Sequence, residues 1–400
     1  MLDTTSFAAA LKTLYPEKTM EIECYKNHPL LAMVPKAENF EGANLVVPVS
    51  YSFGPGISAD FGTAQTNADA SAQVAFTVTR ASTHAVAKIS SEVIEASKSD
   101  KGAFVDALKH EMDSALQGLS EDLAATVYGS GSGSIGKISA GSNVATATIT
   151  LSDIEQIVNF YKGQKLALSS ADGTGSLRDS GDVVTVSALD RDAGTVTVST
   201  TWSGISGASA SDFIFPEGAH AAKMKGLAGW VPLTAPSATA FFGVDRTADV
   251  TRLGGVRFTA TGLSIEEALV KAGNRVSREG GKPDVCFMNH SRYQDLVLSL
   301  GSKVQYTDSK VGDIGFEGLR LVGPTGSIKV IPDPYCPTDR AYMLQLNTWK
   351  LYTLGKMVKI NALDGNQVLR MSSSDGIEIR LVSRGNLTCK APGRNAVIVF

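Results

Sequence analysis

Between Leu45 and Ser91 the chain alternates apolar with small polar residues in β fashion, and it then runs almost directly into a long amphipathic helical pattern, Lys101 to Tyr128. No other feature constrains the fold as much. Leu45, Val47, Val49, Tyr51 and Phe53 occupy every second position, Gly54-Pro55-Gly56 interrupts them, and the pattern returns through Val74, Phe76, Val78 and later Val86 and Ile89. This is a hairpin with a long tip of small residues. The arm has too few large side chains to bury a core of its own, so it is expected to lie on something else, a neighbouring subunit being the natural candidate. An arm of this kind followed by a spine-like helix suits assembly better than catalysis.

The helix carries Phe104, Leu108, Met112, Ala115, Leu119, Leu123 and Val127 at spacings of three and four, with Asp106, Lys109, Asp113, Gln117 and Glu121 elsewhere on the wheel. Asp100 is placed to cap it. It ends in Gly129-Ser130-Gly131-Ser132-Gly133, read as a flexible connector.

A chain of 400 residues at 43% hydrophobic and 19% charged can bury two or three cores, which excludes disorder as the default. With 37 basic against 40 acidic residues it lacks the basic footprint of a sequence-reading DNA protein. No run approaches the roughly 18 apolar residues of a membrane span, and Met1 to Leu14 lacks the form of a signal peptide, which points to a cytoplasmic chain with no membrane partner. Cys24, Cys286, Cys336 and Cys389 are too scattered for a zinc knuckle and are expected to be reduced thiols.

Residues 1 to about 40 place Phe7, Leu11 and Leu14 at helical spacing. They then pass through Tyr25, His28-Pro29, Leu30-Leu31 and Val34-Pro35 without one period, as an arm laid across a surface does. Between Ile149 and His220 short strands at Lys165–Leu168, Val183–Ser187, Thr195–Thr200 and Phe213–Phe215 are punctuated by Asp172-Gly173, Ser180-Gly181 and Ala193-Gly194. A small inserted barrel or sandwich fits them, with a short helix from Leu151 to Tyr161 before it. A helix capped by Ser264 follows, another after Asn289, and then strands at Leu319–Val322, Lys329–Ile331, Ala341–Leu346, Trp349–Leu354, Val368–Met371, Ile377–Ser383 and Ala396–Phe400. Segregated helices and strands make this an α+β chain.

Two motifs resemble catalytic signatures and fail on context. Gly131-Ser132-Gly133-Ser134-Ile135-Gly136 spells a dinucleotide GxGxxG, and Gly131 to Lys137 nearly spells a phosphate loop. Both need a strand before and a helix after, whereas here a helix precedes, strand-like residues follow, and Ile138 stands where a hydroxyl must reach magnesium. His110-Glu111 opens a zinc-protease pattern, but Ser114 occupies the second ligand position. His28, His84, His220 and His290 are isolated and are expected to be surface or hydrogen-bonded residues. Asp60, Asp69, Glu92 and Glu95 flank the hairpin and read as solvated loop carboxylates, with pairing to a neighbour as the alternative. No catalytic, cofactor-binding or metal-ligating residue is assigned, and no cofactor is expected.

The order of elements resembles the major capsid proteins of tailed bacteriophages, of the Hong Kong 97-type fold, which encapsulins share. Gly226-Leu227-Ala228-Gly229-Trp230, Lys282-Pro283-Asp284-Val285 and the Gly318 to Ile331 strand pair look like counterparts in that family. The resemblance implies an N-terminal arm (1–40), an extended hairpin loop (41–91), a peripheral domain with the spine helix (92–148, continued at 223–291 and in the strands of 357–400), an inserted β-rich domain (149–222) and an axial domain (292–356, Arg292 to Lys356). It implies pentamers and hexamers of the chain itself in an icosahedral shell of the virion, assembled in the host cytoplasm around packaged double-stranded DNA that it contacts non-specifically. Portal, scaffolding and decoration proteins are its other possible partners, and no enzymatic activity is implied. Some members weld the shell through a loop lysine, yet Ala37 to Ala87 contains none, so covalent chainmail is not expected. Some begin with a long scaffolding segment, whereas this chain reaches its arm at once, which implies a separate scaffolding protein or none. The alternative is an encapsulin-type nanocompartment that packages an enzyme.

Overall fold

A computed structural model of the chain describes residues 20, 24, 25, 27–92, 101–300, 319–323, 326–362, 366–371 and 374–400, with 101–108 as backbone alone. Among the described residues are three six-stranded sheets, a separate two-stranded hairpin and the spine helix Lys101–Tyr128. No helix among them is long and apolar enough to cross a membrane.

The first sheet is organised by the 14-residue strand Gly376–Cys389. Along one edge it pairs antiparallel with Ala81–Ser90, and along the other with Trp349–Thr353, Lys359–Ile360 and Leu369–Arg370. The spine helix buries Met112, Leu116, Leu119, Leu123 and Val127 in one core with Ala87, Ile89, Ile379 and Leu381. Its stripe is thus as the period predicts from Met112 onward, widened by Leu116, while Ala115 is only half-buried. Phe104 and Leu108 lie outside the described side chains, and Asp100 outside the described residues.

The N-terminal arm enters this core rather than lying over it. Leu30, Leu31, Val34 and Phe40 are fully buried, and Lys36–Ala37 adds a parallel strand beside Leu351 and Tyr352. His28, also buried, touches the spine helix: its Nε2 lies 2.9 Å from Ser120 Oγ, and the Ser120 hydroxyl donates to the Cys24 carbonyl at 2.8 Å. With that hydroxyl proton committed, His28 Nε2 must be the donor, and burial pushes the imidazole down to about 4.

The hairpin is Asn44–Ser50 paired with Gln73–Thr79, from Asn44↔Thr79 to Ser50↔Gln73. Val86 and Ile89 do not belong to its return leg. After Arg80 the chain passes into the strand Ala81–Ser90 of the first sheet, and the unbroken two-residue period conceals that change of partner.

The second sheet runs in the spatial order Val256–Thr259, Ala396–Val399, Arg340–Leu344, Val285–Met288, Gly326–Pro332, Leu319–Gly323. The helix Ile265–Arg278 buries Ala268, Leu269, Ala272 and Val276 in its core, and His290–Leu300 adds Leu296. Ser264 accepts a hydrogen bond from the Glu267 amide, and acidic residues in the first turn with Arg275 and Arg278 in the last suit the helix dipole. A segment bounded at 292 and 356 does not match this sheet. Trp349–Thr353 falls inside those bounds but pairs in the first sheet, while three strands outside them, Val256–Thr259, Val285–Met288 and Ala396–Val399, complete the second. Parallel partners far apart in sequence leave no local trace of which sheet they join.

The third sheet closes on itself. Its order is Gly136–Lys137, Phe213–Pro216, Lys165–Ser169, Val184–Asp190, Thr195–Val198, Thr148–Thr150, and a bridge between Ile138 and Leu151, with the Ser139 amide 2.9 Å from the Thr150 carbonyl, joins the last strand to the first. Closure leaves no open sheet edge. Ile149, Leu166, Leu168, Val196, Trp202 and Ile214 fill the interior. The barrel therefore begins near Gly136 rather than at 149, because the short strand Gly136–Lys137 lies before that boundary, Thr148–Thr150 straddles it, and the two together seal the barrel. The expected helix from Leu151 to Tyr161 is a single 3₁₀ segment, Ile154–Asn159, capped by Asp153.

A fragment of residues 134–221 is expected to give dispersed amide-proton resonances, since it contains every strand of the closed barrel. A fragment of 150–221 lacks the sealing strands and should give a collapsed spectrum. Equal dispersion from both would show that closure contributes nothing to the module.

Candidate assembly surface

The hairpin stands on an aromatic base. Phe76 is fully buried, with ring centroids 5.0 Å from Trp230 and 6.3 Å from Phe241. Trp230 contacts Phe241 at 5.2 Å and donates its indole N–H to the Leu387 carbonyl at 2.9 Å. Arg246 stacks 4.3 Å over Phe241 and donates to the carbonyls of Gly229 and Trp230. The inner face of the hairpin, Val47, Val49, Phe76 and Val78, thus lies on the chain's own core. The expectation that the whole arm must rest on a neighbour holds for none of this base.

Beyond Ser50 the situation reverses. Phe53, Ile57 and Phe61 are 78%, 88% and 81% exposed, large apolar side chains that their own chain leaves uncovered. The loop that carries them is nevertheless ordered from within. Arg252 donates to the Tyr51 carbonyl at 2.7 Å and sits 5.4 Å over the Phe53 ring. The Asp69 amide donates to the Gly54 carbonyl at 2.8 Å. A Cβ on Gly54 would come 1.9 Å from the Asp69 carbonyl oxygen, and one on Gly56 1.9 Å from that of Ala64, so only glycine lets the two legs approach this closely.

A short helix, Phe61–Asn67, occupies the tip, where the run of small residues carries no helical period. Asp60 caps it, accepting from the Thr63 amide at 2.8 Å and the Thr63 hydroxyl at 2.9 Å, and these bonds lower its pKa. Asp69 likewise accepts from the Ala70 amide at 2.8 Å. Both carboxylates brace the loop from within, rather than serving only as solvated charges or as partners for a neighbour. Glu92 is exposed and Glu95 lies outside the described residues. The apolar tip could have been found by its pattern, single large apolar residues set among Gly, Pro, Ser and Ala, where no local core can form.

The other sequence candidates land apart from one another. After Gly133 the chain enters the barrel strand Gly136–Lys137, with Lys137 Nζ 5.0 Å over the Phe213 ring. Gly131 and Gly133 adopt φ of +94° and +84° where the chain crosses residues 219–225, and a Cβ on Gly133 would lie 2.0 Å from the Ala219 carbonyl oxygen. The segment read as a flexible connector is therefore packed. His110, Glu111 and Ser114 are exposed on the wet face of the spine helix, His84 and His290 are exposed, and the His220 ring meets Phe215 edge-on at 4.8 Å. All four cysteines are buried, and burial pushes the thiols of Cys286 and Cys389 up to about 12. Among the described residues no three His, Cys, Asp or Glu side chains converge as metal ligands.

A family model described as SU10 major capsid protein matches residues 26–365. A search of curated proteins found no match. Among solved structures, the cyanophage A-1(L) capsid asymmetric unit aligns with a TM-score of 0.53 at 10% identity, covering 93% of this chain and 92% of that one. The capsid of a native GTA particle aligns at 0.45 and 11% identity, covering 92% and 89%. The holo-SrpI encapsulin complex from Synechococcus elongatus PCC 7942 aligns at 0.43 and 7% identity, covering 92% and 86%. At these identities the likeness is one of fold, and it rests on the first of the three.

Proposed function

This chain belongs to the SU10 major capsid protein family, and on that premise we propose that its copies gather as pentamers and hexamers and tile an icosahedral shell around packaged double-stranded DNA. The family match over residues 26–365 carries the reading, and it favours a phage shell over an encapsulin-type compartment. The loop of residues 51–72, with its uncovered Phe53, Ile57 and Phe61, overlaps the adjacent subunit. The sheet with the helices Ile265–Arg278 and His290–Leu300 is the axial domain, which meets its copies at the capsomer centre. The sheet on Gly376–Cys389 with the spine helix is the peripheral domain, and the closed barrel is the inserted domain. The chain is a wall element and not an enzyme. It is assembled in the host cytoplasm, with portal and decoration proteins as its other partners.

The shell is held without covalent bonds. Ala37 to Ala87 offers no lysine for an isopeptide, and the four cysteines are buried, out of reach of a neighbouring subunit. Particles boiled with detergent and reductant are expected to run as one band at monomer mass. A ladder of multimers would contradict the non-covalent reading.

A further inference from the structure

The sheet built on Gly376–Cys389 has two faces, and the spine helix covers only one. Side chains of directly paired residues share a face, so the register states what the other face carries. Ala87 and Ile379, buried under the helix, are partners, and the alternate pairs Lys88↔Glu378, Val86↔Arg380 and Ser82↔Arg384 point the other way. Lys359 stands beside Val382 on that same side and Lys350 beside Thr388, two positions that are buried, and the Lys359 Nζ donates to the Leu354 carbonyl at 3.3 Å. Five cations, Lys88, Lys350, Lys359, Arg380 and Arg384, therefore share one rigid face, Lys88 and Arg380 exposed and the other three half-buried.

Glu378 is the one carboxylate at an outward position of these described strands, and Arg380 pairs with it. Lys88 and Arg384 have no ion-pair partner among the described residues, and Lys88 is exposed. In a chain with more acidic than basic residues, this concentration is local. Strands lie about 4.8 Å apart and same-face neighbours along a strand about 6.7 Å apart, so these charges form a continuous patch. A flat sheet face with no projecting helix or ribbon cannot enter a groove to read base edges. It can neutralise phosphates.

We propose that this face is the surface that meets the phosphodiester backbone of packaged double-stranded DNA, binding without regard to sequence. The proposal rests on the shell reading above and adds to it the surface and the mode of contact.

The test uses the full chain below its assembly concentration, a labelled DNA duplex and fluorescence anisotropy across a sodium chloride series. Each neutralised phosphate contributes about 0.9 to the slope of log affinity against log salt. The double variant Lys88→Gln/Arg384→Gln should therefore flatten the slope by about 1.8. The control pair Arg275→Gln/Arg320→Gln, exposed cations of the second sheet and its helix, should leave it unchanged. Should the double variant unfold, Lys88→Gln alone should flatten the slope by about 0.9. An unchanged slope, or equal flattening by both pairs, overturns the assignment. So does a face variant that binds DNA normally but forms no shells, because the patch would then be a subunit contact. Absence of shells from the unaltered chain would instead count against the shell reading, while the slopes would still report on this face.

Discussion

Replacing Phe53, Ile57 and Phe61 together with serine is expected to leave a folded, soluble chain that no longer forms shells. All three side chains are more than three-quarters exposed, so their loss removes almost nothing from the chain's own core. In a subunit contact the same side chains would each contribute about 1.5–3 kcal/mol on full burial. Losing several kcal/mol from one contact weakens it by roughly three orders of magnitude or more, at 1.4 kcal/mol per tenfold. A closed shell repeats that contact at every subunit, so the concentration needed for assembly should rise beyond reach. Sedimentation velocity reads the fraction of chain in particles, and circular dichroism checks the fold. Wild-type particle yields from the triple variant would show that the loop tip is not an intersubunit element. Gly56→Ala should act in the same direction by another route, since its Cβ would fall 1.9 Å from the Ala64 carbonyl oxygen and re-aim the tip without removing an apolar group.

The second large effect is expected from Trp230→Ala. Trp230 is fully buried, joins the hairpin base to the central strand through the Leu387 carbonyl, and packs against Phe76, Phe241 and Phe242. Truncating a buried tryptophan costs about 3–5 kcal/mol, a large share of the roughly 5–15 kcal/mol that stabilises a typical domain. The loss should be local. Hydrogen exchange is expected to accelerate in Asn44–Ser50 and Gln73–Thr79, while amides of the barrel strand Lys165–Ser169, which belongs to a separate core, stay protected. Uniform acceleration across all three cores would mean that the chain unfolds as one unit, and no change would mean that the aromatic base does not hold the hairpin.

Much of this architecture is legible in the chain itself. The spine helix announces itself through Met112, Leu119, Leu123 and Val127, the hairpin through Val47, Val49, Phe76 and Val78, and the helix Ile265–Arg278 through its Ser264 cap, because each depends on a local period or a local bond. What escaped depends on partners distant in sequence. Ala81–Ser90 looks like a continuation of the hairpin and pairs instead with residues 376–385. Lys36–Ala37, Gly136–Lys137 and Thr148–Thr150 are strands of two or three residues, too short to show a period. The apolar tip was visible residue by residue but not as a surface, since the helix Phe61–Asn67 and the close approaches at Gly54 and Gly56 come from contacts across the loop. The cationic face is similarly silent in sequence. Lys88, Lys350, Lys359 and Arg384 lie far apart along the chain and are gathered only by strand register.

Whether this chain builds a shell through its loop is read from a three-dimensional reconstruction by electron microscopy of particles formed by the expressed chain. Closed polyhedral shells are expected, with density for residues 51–72 lying across an adjacent subunit. A preparation that holds only monomers and small oligomers, or shells in which that loop touches nothing but its own chain, would contradict this.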